Sequence, residues 1–128
     1  MAKNEMILCD TNIFIQFLNG REKVKNVLKK IGTESIALSI ITYAELFYGT
    51  RKAEINAMKA FLDSFTILDI DAGISKVFRG LVLNYSYNYH LKIPDAFIAA
   101  TAIHNGLQLY TENKKDFDFI PEIKLYKP

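Results

Sequence analysis

The chain has 128 residues, half of them hydrophobic and 12% aromatic, which suffices for the core of one domain and argues against disorder. Its formal net charge of +2 is nearly neutral, so composition alone neither requires nor excludes a nucleic-acid partner. The single cysteine, Cys9, excludes an intramolecular disulfide, and its apolar surroundings in the sequence predict a small buried side chain.

The first apolar run, residues 6–9, is too short for the core of a signal peptide or for a membrane span. Low-complexity stretches, repeats and Pro/Gly-rich linkers are absent from the sequence. We therefore expect a single domain over residues 1–128, located in the cytoplasm and not associated with a membrane.

Apolar segments of strand length alternate with segments of helical period along the chain. The predicted strands are residues 6–9, 35–38, 66–70, 107–110 and 123–126, and the predicted helices are residues 11–18, 21–31, 40–50, 53–64, 72–89 and 95–104. Gly32 ends the second helix, and Pro94 opens the last one. This alternation predicts an α/β fold with a central, mainly parallel β-sheet flanked by helices. Ligands of such sheets bind beyond the carboxyl ends of the strands, near the point where strand order reverses.

Three carboxylates begin or interrupt apolar faces of the predicted elements. Asp10 directly follows the first strand, although Asp is also a favourable helix N-cap. Glu45 is the only charge in residues 35–50 and lies on the helical face of Ile41 and Ala44. A buried Glu45 needs a basic partner, an unusual pKa or a bound cation, whereas a Glu45 at the helix edge reaches solvent. Asp95 lies in a first helical turn, where the helix dipole alone already favours a negative charge.

A fourth carboxylate follows the predicted strand 107–110. Asp116 is the candidate, with Glu112 and Asp118 competing for the same role. Carboxylates gathered at one sheet edge repel one another, and a divalent cation relieves that repulsion. Ligand sets made only of oxygen suit Mg²⁺ or Mn²⁺. The residues alone therefore predict hydrolysis of a phosphoryl compound.

Four segments resemble, in order, the four sequence motifs of PIN domains, particularly those of the toxins in bacterial VapBC toxin–antitoxin pairs. They are residues 7–12 (ILCDTN), 39–49 (SIITYAELFYG), 94–102 (PDAFIAATA) and 109–117 (LYTENKKDF). The resemblance implies an α/β PIN-like fold, often a homodimer, and cleavage of RNA that depends on Mg²⁺ or Mn²⁺. It also implies a cognate antitoxin as the protein partner.

The resemblance further implies the roles of individual residues. The metal would be carried by Asp10, Glu45 and Asp95, with Asp116 completing the cluster; Thr11, Asn12, Thr111 and Asn113 would support the site. Because no histidine is involved, cleavage should give 5′-phosphates rather than 2′,3′-cyclic phosphates. Residues 85–92 depart from the family pattern, since many relatives have a glycine-containing turn there.

Two other functions are compatible with the same motifs. One is a housekeeping PIN nuclease that processes RNA or acts on DNA, and the other is a catalytically silent PIN fold used for binding. The basic pairs at 51–52 and 114–115 are candidates for contacts with RNA phosphates. The apolar segments 47–48 and 57–65 are candidates for a groove that accepts an antitoxin helix.

Overall fold

Strands and helices alternate in the order expected from the sequence in residues 5–128, the part that a computed structural model describes. Residues 1–4 of the predicted domain lie outside this part. The strands are β1 (Ile7–Cys9), β2 (Ile36–Ser39), β3 (Thr66–Leu68), β4 (Gln108–Tyr110) and β5 (Lys124–Leu125). The helices are α1 (Thr11–Leu18), α2 (Glu22–Ile31), α3 (Ile40–Tyr48), α4 (Ile55–Asp63), α5 (Ala72–Tyr85) and α6 (Ile93–Asn105). Within residues 5–128, no helix combines the length and the apolar character that crossing a membrane requires.

All five strands pair in parallel, in the order β3-β2-β1-β4-β5, which confirms the predicted α/β fold. The chain moves outward from β1 through β2 to β3, and then returns to the other side of β1 to form β4 and β5. Strand order therefore reverses between β1 and β4. The carboxyl ends of these two strands are the place where a doubly wound sheet opens a crevice for ligands.

The sheet is covered on both faces, and successive strand residues enter different cores. On one side Leu8 and Ala37 pack with apolar residues of α5 and α6. On the other side their neighbours in β1 and β2 pack with α1, α2 and α4, and Phe14 is fully buried there. Burial on both faces explains why β1 and residues 36–38 of β2 are apolar runs without polar alternation. The polar residues that follow the strands are then free to form a site.

The longest predicted helix ends earlier than the sequence indicated. We predicted residues 72–89, but α5 stops at Tyr85 and the chain turns back towards Leu91. The turn stacks the ring of Tyr89 on Phe119 at 4.7 Å between centroids, and Tyr85 packs against the same ring. His90 completes the turn with a φ of +55°. Aromatic packing against a distant segment thus overrides a local pattern that would continue the helix.

Other boundaries differ by at most two residues from the predicted ones. The third strand ends at Leu68 instead of residue 70, α3 ends at Tyr48 instead of residue 50, and α6 begins at Ile93, two residues before its predicted start. Pro94 therefore occupies the first turn of α6, and Asp95 follows it in the same turn.

Candidate active site

The ends of β1 and β4 bring Asp10 and Thr111 side by side. Cys9 pairs with Tyr110 in the sheet, and the Asp10 N–H donates to the Tyr110 carbonyl at 2.9 Å. The Thr111 hydroxyl then donates to Asp10 Oδ2 at 2.8 Å, while the Thr11 N–H donates to Oδ1 at 2.8 Å. Asp10 is only 5% exposed. Its carboxylate caps α1, which confirms the predicted N-cap, and it lies at the edge of the sheet where the site is predicted.

Glu45 is joined to this edge through α1. The Thr11 hydroxyl donates to Glu45 Oε1 at 2.7 Å, and the Thr42 hydroxyl lies 2.9 Å from the same Thr11 oxygen. Since Thr11 directly follows Asp10, one residue contacts Glu45 with its hydroxyl and Asp10 with its amide. The two carboxylates are therefore held in a fixed relation by a single threonine.

Burial of Glu45 among apolar residues, one of the two expectations from sequence, is wrong. Glu45 is exposed, and Tyr48 on the same helical face is 93% exposed. The buried residues of α3 are Thr42 and Leu46, which lie one turn apart on a face different from that of Glu45 and Tyr48. The position of Glu45 therefore matches the alternative of a carboxylate at the helix edge. Its link to the site is the hydrogen bond to Thr11 rather than its burial.

The charges of the other carboxylates act on Asp10. Burial raises the pKa of Asp10, and the hydrogen bonds from Thr111 and Thr11 offset this only in part. The negative charges of Glu45 and Asp116 raise the same pKa further. Glu45 and Asp116 are therefore close enough to interact electrostatically with the Asp10 carboxylate.

Asp95 experiences the same group of charges from the first turn of α6. Burial, followed by the charges of Asp10 and Asp116, raises the pKa of Asp95 to about 6. Lys92 lowers this pKa in part, and Glu45 adds a smaller rise. Asp95 thus shares one electrostatic environment with the three other predicted carboxylates, although it is 85 positions from the first of them in sequence.

The competing acidic residues do not act on this group. The charge of Glu112 raises the pKa of Tyr110 and is not among the charges that shift Asp10 or Asp95. Asp118 is exposed and is likewise absent from those charges. Asp116 is the acidic residue of this segment whose charge reaches both carboxylates.

Three of the predicted supporting residues, Asn12, Thr111 and Asn113, lie around the end of β4. The Asn113 N–H donates to the Thr111 hydroxyl oxygen at 3.0 Å, which leaves the Thr111 proton for Asp10. The Asn12 side-chain oxygen faces the Glu112 N–H at 3.5 Å, at the limit of a hydrogen bond. Asn113 itself is exposed. The backbone of this segment, more than its side chains, orients Thr111.

The donor set fits a divalent cation. The ion pairs of the described residues lie elsewhere, at Arg51–Glu54, Lys59–Asp63 and Asp71–His104. The site instead combines four carboxylates that repel one another, and oxygen ligands of this kind suit Mg²⁺ or Mn²⁺. Within residues 5–128, no three acidic, His or Cys side chains stand close enough to hold one ion as they are arranged. A cation held by these carboxylates would require rotamer changes, for which the exposed Glu45 and Asp116 have room in solvent.

Sequence reasoning overlooked two buried hydroxyls behind the site. Ser39 ends β2 and caps α3 by accepting the Thr42 N–H at 3.1 Å, and its hydroxyl lies 3.3 Å from that of Thr42. Both side chains are almost completely buried. The signal was available, because Ser39 and Thr42 have the spacing of a helix N-cap and the third helical residue. Only the three-dimensional contact with Thr11 connects them to the carboxylates.

The comparison with known families agrees with this arrangement. Residues 7–122, from the start of β1 to the loop before β5, match the PIN domain. The chain belongs to the PIN-domain family.

Named relatives of this PIN domain match it over nearly its whole length. The chain is 32% identical to "Ribonuclease VapC1" of Methanocaldococcus jannaschii, with 94% of this chain and 86% of the relative covered. It is 29% identical to "Ribonuclease VapC19" of Mycobacterium tuberculosis, with 93% and 98% covered. The relatives connect the chain with the VapC group of PIN domains.

Solved structures of toxin–antitoxin complexes contain chains with a similar fold. A toxin–antitoxin complex from Klebsiella pneumoniae contains a chain that is 35% identical, with a TM-score of 0.80 and coverage of 95% of this chain and 99% of that one. VapBC2 from Rickettsia felis bound to promoter DNA is 28% identical over 94% and 97%, also with a TM-score of 0.80.

Two adjoining cavities extend from the edge of the PIN site between α1, α3 and α4. Their volumes are about 350 and 260 Å³, and both are lined by Leu18, Gly49 and Met58. The smaller one reaches Glu45, and the larger one reaches Phe61. Part of the segment 57–65, predicted from sequence as groove-forming, thus lines a depression that leads to a carboxylate of the site.

Proposed function

We propose that the chain is a VapC-type endoribonuclease, the toxin of a VapBC pair, which hydrolyses RNA with Mg²⁺ or Mn²⁺ held at Asp10, Glu45, Asp95 and Asp116. The observation that carries this proposal is the electrostatic coupling of the four carboxylates at the reversal point of a PIN-domain sheet. The names of the relatives, which are ribonucleases, and of the structural neighbours, which are toxin–antitoxin complexes, support the activity and the partner.

The four carboxylates have different mechanical roles in this proposal. Asp10 is the rigid ligand, since it is buried and both of its oxygens accept hydrogen bonds. Glu45 is held at one oxygen by Thr11, and Asp95 is fixed at the start of α6. Asp116 stands on an exposed turn, where it can move with the substrate. When bound, the cation supplies Lewis-acid activation of water and neutralises charge on the attacked phosphate.

The substrate would approach from the solvent side of the site. Lys114 and Lys115 lie in the same turn as Asp116 and line a depression of about 440 Å³ with it. They are placed to contact phosphates that flank the bond being cleaved. We expect these contacts to position RNA of any sequence, because phosphate contacts carry no sequence information.

The antitoxin would occupy the depression between α1, α3 and α4. It contains the apolar side chains of Leu18, Met58 and Phe61 and ends at Glu45. An amphipathic segment with a basic residue at its end would fill the apolar part and neutralise the carboxylate. A small adjacent gene for a DNA-binding antitoxin would distinguish this function from that of a housekeeping nuclease. A homodimer and a cytoplasmic location stay predictions, and light scattering would test the former.

The test is an incubation of purified protein, free of antitoxin, with a mixed RNA pool in Mn²⁺. Cleavage should be abolished by EDTA and by Asp10→Asn, and the new ends should be 5′-phosphates. An Asp118→Asn variant is the matched control, because this exposed carboxylate lies in the same loop and outside the coupled group. Recovery of 2′,3′-cyclic phosphates would rule out this mechanism. Failure of the wild-type chain to bind Mn²⁺ in a calorimeter would favour the silent binding module instead.

A further inference from the structure

Three hydroxyl groups form a continuous chain that ends on Glu45. The Ser39 oxygen lies 3.3 Å from the Thr42 oxygen, which lies 2.9 Å from the Thr11 oxygen, which lies 2.7 Å from Glu45 Oε1. Ser39 and Thr42 are 2% and 0% exposed, so water does not compete for their bonds. The chain connects the core below the sheet edge with an exposed carboxylate.

The direction of every proton in this chain follows from counting donors. A hydroxyl has one proton, and an ionised carboxylate has none to give. Thr11 must therefore donate to Glu45, which means that Thr42 donates to Thr11 and Ser39 donates to Thr42. All three bonds point towards Glu45. Bonds aligned in one direction polarise each other, so the last donor is strengthened by the two behind it.

We infer that Thr42 is a positioning residue of the nuclease site: its buried hydroxyl orients Thr11, which holds Oε1 of Glu45 and leaves the second carboxylate oxygen as a ligand for the cation. The inference rests on the proposed function, because it assigns a role relative to the metal. Glu45 is exposed and has three side-chain torsions, so without such a contact it samples many rotamers. A Thr11 hydroxyl that lacks the Thr42 donor is free to rotate towards other acceptors, and the carboxylate then loses its fixed partner.

The test measures Mn²⁺ affinity by calorimetry, and kcat and KM for RNA cleavage, in antitoxin-free protein. Thr42→Val keeps the shape of the buried side chain and removes the hydroxyl. We expect it to weaken Mn²⁺ binding about fivefold and to lower kcat, while KM for RNA stays constant. Loss of a residue that hydrogen-bonds a metal ligand typically lowers metal affinity roughly 10–100-fold, and the effect should be smaller here because Thr42 contacts the ligand only through Thr11. Thr42→Ser keeps the hydroxyl and should remain within about twofold of wild type.

Thr101→Val is the matched control. Thr101 is 2% exposed, and its hydroxyl donates to the Phe97 carbonyl inside α6 at 2.8 Å. The variant makes the same chemical change at the same burial, so it should alter thermal stability but leave Mn²⁺ affinity unchanged. Equal loss of affinity in both valine variants would show general destabilisation and overturn the inference.

A double-mutant cycle with Thr11→Val tests whether Thr42 acts through Thr11. If it does, adding Thr42→Val to Thr11→Val should cause no further loss of Mn²⁺ affinity. Additive losses, or wild-type affinity in Thr42→Val, would overturn the inference while the proposed function stands. If the wild-type chain binds no Mn²⁺, both the proposed function and this inference fail.

Discussion

Thr111 donates a hydrogen bond of 2.8 Å to Oδ2 of Asp10, a residue 101 positions away in the sequence. The contact exists because Cys9 and Tyr110, which precede them, are partners in adjacent parallel strands. It also stabilises a charged group in a buried place, since it lowers a pKa that burial raises. The pairing of β1 with β4, where strand order reverses, therefore helps to keep Asp10, a candidate metal ligand, in its ionised form.

Replacement of Thr111 by valine should shift the pH dependence of the reaction. The loss of the donated bond raises the Asp10 pKa further, so a larger fraction of Asp10 is protonated on the acid side. A hydrogen bond to a charged group contributes about 1.5–3 kcal/mol, which corresponds to a loss of Mn²⁺ affinity of roughly ten- to a hundredfold near neutral pH. A pH profile of kcat/KM should show its acid limb moved to higher pH.

Thr111→Ser provides the control for this prediction, because it keeps the hydroxyl and removes only a methyl group. It should retain the wild-type profile. An acid limb that stays in place in Thr111→Val would mean that the bond has no influence on Asp10.

Asp95→Asn should stabilise the metal-free protein at neutral pH while it abolishes cleavage. The pKa of Asp95 is raised to about 6 in the folded chain from an ordinary value of 3.8, so the folded state binds the proton more tightly. Folding therefore becomes less favourable as pH rises from about 4 to about 6, and the penalty stays constant above that range. Asp95 is only half-buried, which reduces the penalty to about 1 kcal/mol, or roughly 4 °C in melting temperature.

Thermal unfolding in EDTA at pH 7.5 and at pH 4 measures this effect. The variant should melt higher than wild type at pH 7.5, and the difference should be much smaller at pH 4, where Asp95 is protonated in the folded chain. Added Mn²⁺ should raise the melting temperature of wild type, because it binds the folded state, and should have less effect on the variant. A variant that melts lower at pH 7.5 would show that Asp95 stabilises the metal-free fold.

The fold could be predicted from the sequence because strands that are buried on both faces of the sheet stand out as short apolar runs. The central strands contain apolar runs, residues 7–9 and 36–38, and each run is followed by a polar residue, Asp10 or Ser39. The end of α5 was not accessible, since it depends on Tyr89 stacking against Phe119, thirty positions away. Long-range aromatic contacts leave no periodic signal in the local sequence.

The acidic residues of the candidate site could be predicted from the sequence, but the hydrogen bonds that connect them could not. Asp10 and Asp95 are recognisable because each occupies a strand end or a first helical turn. The burial alternative for Glu45 was wrong because an apolar helical segment does not specify which face enters the core. Thr42 was missed because a buried threonine resembles any other core residue until its contact with Thr11 is seen.

The Cys9 thiol should report global unfolding. Cys9 is fully buried, and burial, followed by the neighbouring Asp10 charge, raises the pKa of its thiol far above the usual range. A protonated, inaccessible thiol does not react with disulfide reagents. We expect no labelling of the native chain at pH 8 and one equivalent per chain in guanidinium. Rapid labelling in native buffer would show that β1 opens locally.

Asp116 and Asp118 should differ sharply when each is changed to asparagine. The two residues lie in the same exposed segment, yet only the charge of Asp116 contributes to the raised pKa values of Asp10 and Asp95. Asp116→Asn should therefore lower the Asp95 pKa from about 6 towards its ordinary value, and should weaken Mn²⁺ binding about tenfold through loss of a ligand. NMR titration of the Asp95 carboxyl carbon and calorimetry measure the two effects separately.

Asp118→Asn should leave both quantities unchanged, because the charge of Asp118 is not among those that shift Asp10 or Asp95. It is a matched control, since it changes the net charge of the segment as much as Asp116→Asn does. The pair thus separates a specific ligand from general electrostatic attraction of cations, which depends on net charge and is screened by salt. If both variants weaken Mn²⁺ binding equally, and the loss disappears at high salt, the segment attracts cations without ligating them. If Asp116→Asn lowers the Asp95 pKa but leaves affinity intact, Asp116 shares the field of the site and holds no metal.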